Sequence, residues 1–176
     1  MANFYTDSHG THWGVMIQEK TTSCGPASVA MTEVYYKSSI AANLEARVRT
    51  LSQKYPGRWQ ASVGTAITNL VDVLRDEGIK CYDGLCVQPN AVWPYLYKYA
   101  RESTPVIVHI AWAKGAHFAV CSWVYNDWTC VFLDPWYGLV QINGANLPSY
   151  SVGDPTGNFP PVASGQLTGW CVITKR

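Results

Sequence analysis

Three short motifs contain the side chains of this sequence that are best suited to covalent chemistry. In chain order they are Gln18-Glu-Lys-Thr-Thr-Ser-Cys24-Gly-Pro-Ala, Gly115-Ala-His117-Phe-Ala-Val and Leu133-Asp134-Pro-Trp. A cysteine attacks a carbonyl carbon as the thiolate, so it needs a base that takes its proton. An imidazole can be this base, and a carboxylate bonded to one ring nitrogen leaves the other to face the sulfur. The residue types therefore predict a nucleophile at Cys24, a base at His117 and an orienting acid at Asp134.

The nucleophile is predicted in the first turn of a helix. Ser23 occupies the position of an N-cap, Pro26 falls in the first turn, and apolar residues follow at helical spacing. The positive end of a helix favours a thiolate, and the backbone N–H of Cys24 can point at the oxygen of a tetrahedral intermediate. The side-chain amide of Gln18 is the predicted second donor to this oxyanion. Gly25 is expected to leave room for the substrate backbone.

The pattern along the chain changes from helices to strands near residue 103. Helical periodicity and end signals predict helices from Cys24 onward and at about 41–54, 65–77 and 90–101, after an extended segment at 12–18. β-branched and aromatic runs predict strands at 105–112, 117–125, 128–134, 138–143 and 168–174. Residues 146–165, rich in Pro, Gly and Ser, are predicted to form a surface loop. Helices first and antiparallel strands second predict an α+β fold.

A β-hairpin is predicted to bring the histidine and the aspartate together. If Asn126 and Asp127 form a two-residue turn, the ladder places Ala119 opposite Asp134. His117 and Asp134 then lie on one face as diagonal neighbours, roughly 7–8 Å apart, and their side chains can touch.

The composition of the chain is that of one folded domain. With 176 residues and 48% apolar content, we expect a single domain over 1–176, with a helical half at about 13–102 and a β half at about 103–176. A net charge of +1 and a charged fraction of 14% provide no basic surface for nucleic acid. No apolar stretch is long enough to span a membrane, and the N-terminus lacks the pattern of a signal peptide.

The remaining cysteines are expected to be mainly reduced core residues, because they lie in apolar runs and are sparse for a disulfide framework. The disulfide state of five of them stays open: Cys81, Cys86, Cys121, Cys130 and Cys171. Cys81 and Cys86 have no further ligands at zinc-finger spacing, so no metal site is expected.

Some nearby residues have competing interpretations. His109 could be a second base, but it lies in an apolar run with no acid at hairpin distance, so a structural role is expected. Trp136 could shield the bond between the histidine and the aspartate from water, and Trp112 or Trp123 could line a substrate cleft.

The three motifs together resemble those of the papain-like cysteine peptidase superfamily. The shared features are Gln six residues before Cys at a helix start, Gly-x-His-Phe-Ala-Val opening a strand and Asp-Pro closing the next. The resemblance covers about residues 13–140 and extends to bacteriocin-leader peptidase domains and Avr-type effector proteases of plant-pathogenic bacteria. It implies a papain-like fold in which the nucleophile helix packs on a C-terminal antiparallel sheet. It also assigns Gln18 to the oxyanion hole, Cys24 as nucleophile, His117 as base and Asp134 as orienting acid.

This resemblance implies hydrolysis of peptide or amide bonds through a thioester acyl-enzyme, without a metal or organic cofactor. The expected partners are a protein or peptide substrate, a host target, and an immunity or activating protein. Transpeptidation and glutamine deamidation use the same acyl-enzyme, and a catalytically dead binding domain can have the same fold, so these alternatives stay open. The resemblance to effectors and toxins implies secretion or delivery into a target cell without a signal peptide. The alternative location is the cytoplasm.

Overall fold

A computed structural model describes residues 2–38, 41–82, 84–102, 104–113, 115–153 and 163–175. The α-helices in this part of the chain are α1 Cys24–Lys37, α2 Leu44–Ser52, α3 Ile67–Asp76 and α4 Val92–Tyr99. Short 3₁₀ helices lie at Pro89–Ala91, Ala100–Glu102 and Gly144–Asn146. The strands are β1 Ala2–Thr6, β2 His12–Met16, β3 Lys80–Cys81, β4 Leu85–Cys86, β5 Val106–Trp112, β6 Ala116–Val124, β7 Thr129–Asp134, β8 Gly138–Asn143, β9 Ser149–Val152 and β10 Ala163–Lys175.

An antiparallel sheet with the strand order β3-β10-β5-β6-β7-β8 forms the centre of the fold. Strands β4 and β9 also pair with β10, and β1 and β2 form a separate hairpin. Helices that precede this antiparallel sheet in the chain give the predicted α+β fold class, which is confirmed.

The sheet buries both of its faces. Alternation along β5 sends Ile107 into a core shared with α1 and α3, and Val108 and Ile110 into a core shared with α4. Burial on both faces explains why these strands are near-continuous apolar runs.

Helix α1 begins at Cys24, as predicted, and is buried throughout residues 24–33. It packs on α2, α3, β2 and β6, so its first turn is fixed against the sheet. Ser23 is the N-cap residue, as predicted, but its side chain makes no capping hydrogen bond. The hydroxyl of Ser23 instead donates to Glu45 and to the backbone carbonyl of Lys20.

Several element predictions need correction. The N-terminal residues pair as β1 with β2, from Ala2 opposite Met16 to Thr6 opposite His12, whereas the sequence indicated a single extended segment. Helices α2 and α3 are shorter at their ends than predicted. The predicted loop at 146–165 contains β9, which pairs with the start of β10, while residues 154–162 lie outside the described residues.

The hairpin of β6 and β7 differs from the prediction at its turn. The backbone N–H of Tyr125 donates to the carbonyl of Thr129 at 2.9 Å, so the turn has three residues, 126–128. Trp128, the third of them, has a φ of 70°, the left-handed conformation that closes such a turn. The predicted two-residue turn is therefore wrong.

A β-bulge in the same hairpin compensates for the longer turn. Trp123 pairs with Val131 but Cys121 pairs with Phe132, so Ser122 is one extra residue in β6. Beyond this bulge, toward the motifs, the ladder has the predicted register. Two deviations of one residue thus cancel before the strands reach His117 and Asp134.

The thiols of four cysteines outside the nucleophile motif donate to backbone carbonyls. These cysteines are Cys81, Cys121, Cys130 and Cys171. The side chain of Cys86 lies outside the described residues. Within the described part of the chain, no group of three His, Cys, Asp or Glu side chains could hold a metal ion. None of its helices has the length and apolar character needed to cross a membrane.

Candidate active site

The side chains of Cys24, His117 and Asp134 meet between the start of α1 and the edge of the β6–β7 hairpin. His117 is buried in β6, and its Nε2 lies 2.8 Å from Oδ1 of Asp134, which ends β7. Cys24 lies close enough to His117 to raise the pKa of its imidazole, and both residues line the same cavity. Because Nε2 faces the aspartate, Nδ1 is the ring nitrogen left for the sulfur. The structure therefore brings the three residues together in the order that the motifs predicted.

Asp134 has a hydrogen-bond partner for each of its oxygens. Oδ1 accepts from the ring of His117 and from the backbone N–H groups of Trp136 at 2.8 Å and Tyr137 at 3.0 Å. Oδ2 accepts from the hydroxyl of Tyr150 at 2.8 Å. A buried carboxylate needs such donors, because burial without them disfavours its charged form.

The pKa of His117 is raised to about 9. Burial alone lowers it, but the hydrogen bond and negative charge of Asp134, together with the neighbouring Cys24, more than offset this effect. The imidazolium form therefore persists at neutral pH, which is the state needed beside a thiolate.

Tyr150 is a site residue that the sequence did not predict. It lies in β9, inside the segment predicted as a loop, and its side chain is completely buried against Phe132 and Trp112. Burial, and then the charge of Asp134, raise its pKa well above the ordinary value, so the phenol keeps its proton and donates it. Alternation of polar and apolar residues at 149–152 was the available signal, but it covers too few residues to predict a strand.

A buried ion network holds the segment that leads to Cys24. Glu45 of α2 accepts from the backbone N–H of Glu19 at 2.8 Å, from the hydroxyl of Ser23 and from the guanidinium of Arg49 at 2.6 Å. Glu45 is only 2% exposed, so these donors are what makes burial of its carboxylate tolerable.

Arg49 extends this network to a second point of the same segment. Its guanidinium binds the carboxylate of Glu19 at 2.7 Å and lies over the ring of Trp59, 5.5 Å from its centroid. The indole N–H of Trp59 donates to the carbonyl of Thr22 at 3.2 Å. Residues on both sides of this short segment are thus tied to α2 and to the loop that follows it.

Gln18, the predicted oxyanion donor, lies beside the active site but does not line the cavity around Cys24. Its backbone N–H donates to the carbonyl of Pro135 at 2.8 Å, which fixes it next to Asp134. Its side-chain NH₂ donates to the carbonyl of Lys20 at 2.7 Å, and its Oε1 is buried without a partner among the described residues. Its role in an oxyanion hole stays a prediction.

The small size of Gly25 has a packing role that the sequence did not predict. A Cβ at this position would lie 3.1 Å from side-chain atoms of Leu70 and Thr65. Glycine therefore allows α1 to pack closely on α3 and on the segment before it, while room for a substrate backbone stays a prediction.

A cavity of about 540 Å³ opens at Cys24 and His117. One wall comes from residues 21–22 and 62–65, and the other comes from β5, β6 and the residues after β7. Of the three suggested tryptophans, Trp112 and Trp136 line the cavity. The ring of Trp112 lies 6.0 Å from that of His117, and Trp136 is 51% exposed. Trp123 packs on Tyr125 and the α1-side core and does not line the cavity.

His109, for which a structural role was expected, lines this same cavity. Its Nδ1 lies 2.9 Å from the hydroxyl of Thr168. The cavity therefore contains two histidines with different partners.

Two solved structures share this fold. The crystal structure of a double glycine motif protease from an AMS/PCAT transporter, in complex with the leader peptide, has a TM-score of 0.58 and 22% identity, over 92% of this chain and 89% of that one. The crystal structure of the peptidase domain of Streptococcus mutans ComA has a TM-score of 0.55 and 17% identity, over 92% of this chain and 98% of that one. These likenesses confirm the predicted papain-like fold.

The family comparison covers most of the chain. A comparison with curated proteins gave no match. The family model described as papain-like cysteine protease AvrRpt2 matches residues 8–150, which include all three motifs. The chain therefore belongs to the AvrRpt2 family of papain-like cysteine proteases.

Proposed function

We propose that this protease cleaves peptide bonds of a protein or peptide substrate through a thioester with Cys24. The observation that carries the proposal is the position of one buried imidazole between a carboxylate and a thiol. His117 bonds Asp134 at 2.8 Å through Nε2, and it shares one cavity with Cys24, which raises its pKa. This arrangement stabilises a thiolate and imidazolium pair ready for attack.

In the proposed acylation step, the sulfur of Cys24 attacks the substrate carbonyl carbon and the carbonyl electron pair moves to oxygen. The backbone N–H of Cys24 donates to this oxyanion, and Gln18 is the proposed second donor once its amide turns away from Lys20. When the tetrahedral intermediate collapses, the C–N bond breaks and His117 gives its proton to the leaving amine.

Deacylation follows the same route with water in place of the amine. Water gives a proton to His117 while its oxygen bonds to the thioester carbon, and the C–S bond then breaks. The products are the carboxylic acid and the regenerated thiolate and imidazolium pair. Asp134 stabilises the imidazolium in both steps.

The test of this chemistry compares Cys24→Ala with Cys81→Ala, a matched change outside the cavity. We expect Cys24→Ala to remove all turnover while the circular dichroism and melting temperature stay close to those of the unchanged protein. Cys81→Ala should retain turnover. Product formation by Cys24→Ala would rule out the thioester mechanism.

Mass spectrometry of the products separates hydrolysis from the other reactions of an acyl-enzyme. Chain cleavage gives new N-termini and supports the proposal. A gain of about one mass unit without cleavage would instead show deamidation, and a new amide would show transpeptidation. Stoichiometric labelling of Cys24 by iodoacetamide at mildly acidic pH would argue against a catalytically dead binding domain, because only an activated thiolate reacts there.

The biological role that we propose is that of an effector or toxin protease, secreted or delivered into a target cell, where it acts on a host protein. An activating or immunity protein is the proposed regulator. The support is membership of the family named above and the resemblance to effector proteases. The double glycine protease neighbour is described with a bound leader peptide, which supports a peptide as substrate here. Incubation with the proteome of a target cell should give new N-termini that Cys24→Ala does not give, and their absence would contradict this role.

A further inference from the structure

A second histidine lies in the wall of the Cys24 cavity and has no part in the proposed mechanism. His109 lies in the middle of β5, opposite Phe118 of β6, with the two ring centroids 5.0 Å apart. Its side chain is half-buried and lines the cavity that also contains Cys24 and His117. A substrate that fills this cavity therefore comes into contact with the ring of His109.

A bulge in β10 positions the partner of this ring. Leu167 pairs with Ile110 and Cys171 pairs with Val108, so three residues of β10 stand opposite His109 alone. Gly169, at the centre of the bulge, has a φ of 88°, and a Cβ there would lie 1.8 Å from the carbonyl oxygen of Val87. Bulges are frequent beside active sites, where they re-aim a side chain. Here the side chain re-aimed is that of Thr168.

The bonds of Thr168 determine which nitrogen of His109 carries the proton. Its single hydroxyl hydrogen is directed to the backbone carbonyl of His109 at 3.3 Å. The hydroxyl oxygen therefore accepts, from Nδ1 of the ring at 2.9 Å and from the backbone N–H of Trp170 at 3.3 Å. This network assigns the hydrogen to Nδ1 and leaves a lone pair on Nε2. Within the described part of the chain, no group hydrogen-bonds to Nε2.

The surroundings keep this ring neutral. Burial, and then the positive charge of His117, lower the pKa of His109 below its ordinary value. None of the described residues that line the cavity is Asp, Glu, Lys or Arg. The proposed Cys24 thiolate is already paired with the imidazolium of His117, so a substrate ammonium group would find no unpaired negative charge there. A neutral hydrogen-bond donor needs no such charge.

We propose that His109 is a specificity-determining residue, whose Nε2 accepts a hydrogen bond from a substrate side chain that carries a neutral donor. The substrates selected are those with a hydroxyl or carboxamide side chain at the position that faces β5. The inference rests on the proposed protease function, because it concerns the substrate of the same site. A site built to pair a donor discriminates against the isosteric apolar residue, because an apolar side chain would leave the acceptor Nε2 desolvated and without a hydrogen bond.

The test uses peptides that contain the cleavage site found with the target proteome, varied one position at a time in the isosteric pairs Thr and Val, and Asn and Leu. With the unchanged protein, one position of the peptide should show a kcat/KM about tenfold higher for the donor side chain than for its apolar isostere. In His109→Phe, which keeps a ring but no acceptor, this ratio should fall to about one. The matched control His12→Phe replaces an exposed histidine of β2 outside the cavity, and it should keep the ratio.

A pair of variants at Thr168 gives a second measurement that does not depend on the folding of His109→Phe. Thr168→Ser keeps the hydroxyl and should keep the ratio. Thr168→Val removes the partner of Nδ1, so the ring is no longer held in the tautomer with a lone pair on Nε2, and the ratio should fall several-fold. Equal ratios in Thr168→Ser and Thr168→Val, or an unchanged ratio in folded His109→Phe, would overturn the role of His109 and leave the protease function intact. If no peptide is cleaved in a Cys24-dependent manner, both proposals fail together.

Discussion

The thiol and the imidazole of this site are held in different ways. On the imidazole side, Asp134 and Tyr150 are both completely buried; Asp134 hydrogen-bonds the ring of His117, and Tyr150 hydrogen-bonds Asp134. On the thiol side, Glu45 and Arg49 bind the segment before the nucleophile and do not contact the sulfur. The side chain of Cys24 is placed mainly by its position at the start of α1.

This difference indicates a division of tasks. The groups around His117 act on its proton affinity, because Asp134 is charged and bonds the ring, and Tyr150 is polar and bonds Asp134. The groups behind Cys24 act on geometry, because they fix the backbone on which the nucleophile and the oxyanion donors lie. Substitutions on the two sides should therefore be distinguishable by their pH profiles.

The largest effect is expected for Asp134→Asn. The pKa of His117, about 9 in the folded protein, is above its ordinary value of 6.5, so the imidazolium is retained at neutral pH and is lost as pH rises through about 9. Loss of the carboxylate charge lowers this pKa, so the basic limb of kcat/KM should move to lower pH. The rate at neutral pH should fall on the order of 10²- to 10³-fold. A basic limb that stays near pH 9 would contradict the assignment.

The same substitution should also change the pH dependence of stability. Because the folded pKa of His117 exceeds the unfolded one, the pair stabilises the fold below about pH 6.5, and this contribution is lost as pH rises through about 9. In Asp134→Asn, urea unfolding at several pH values should show a smaller loss of stability across this interval.

A smaller effect is expected on the thiol side, for Glu45→Gln. The amide cannot accept from Glu19, Ser23 and Arg49 as a carboxylate does, so the segment before Cys24 should shift. We expect kcat to fall roughly 10- to 100-fold, as a small misplacement of reacting groups can cause. The basic limb of the pH profile should not move. Glu77→Gln, a comparable change in an ion pair away from this segment, is the control.

Tyr150→Phe should move the basic limb of the pH profile in the direction opposite to that expected for Asp134→Asn. Without the phenol donor, the negative charge of Asp134 is less shared and attracts the imidazolium more strongly. The basic limb should therefore move slightly to higher pH, with a few-fold lower kcat/KM from looser positioning. A limb that moves down would show that the phenol mainly orients the carboxylate.

The smallest effect is expected in a third ion network, which lies outside both groups. Lys37 is 41% exposed and bridges Glu33 at 3.1 Å and Glu77 at 2.6 Å. Partly exposed pairs are screened by solvent, so Lys37→Ala should cost at most about 1 kcal/mol of stability. The cost should shrink in high salt, and kcat should be unchanged. Urea unfolding at low and high salt measures it.

The parts of the site that the sequence predicted are those encoded by local pattern. Apolar spacing after Cys24 placed the nucleophile in a helix, and period-two runs around His117 and Asp134 placed them in adjacent strands. Glu45 and Tyr150 could not be found in this way, because their roles depend on contacts across 16 to 26 positions of the chain that no periodicity records.

His109 shows the limit of inference from sequence neighbours. Its apolar strand correctly indicated burial in the sheet, but the bulge that brings Thr168 to its ring is a property of β10, far along the chain. A structural role was expected because no acid lies at hairpin distance. That expectation took account only of acids in the neighbouring hairpin, so it could not predict a hydroxyl partner from β10.

In the β6–β7 hairpin, the longer turn and the β-bulge compensate for each other. The turn is therefore coupled to the end of the hairpin that contains His117 and Asp134. The turn at 126–128 and the extra residue Ser122 together determine the register of the two strands, and so which side chains share a face of the sheet. Removing one residue from the turn while keeping the bulge would offset the strands by a single step and turn the carboxylate of Asp134 to the opposite face. The length of a solvent-facing loop is thus coupled to the chemistry of this enzyme, and natural or engineered changes in that loop must come in compensating pairs.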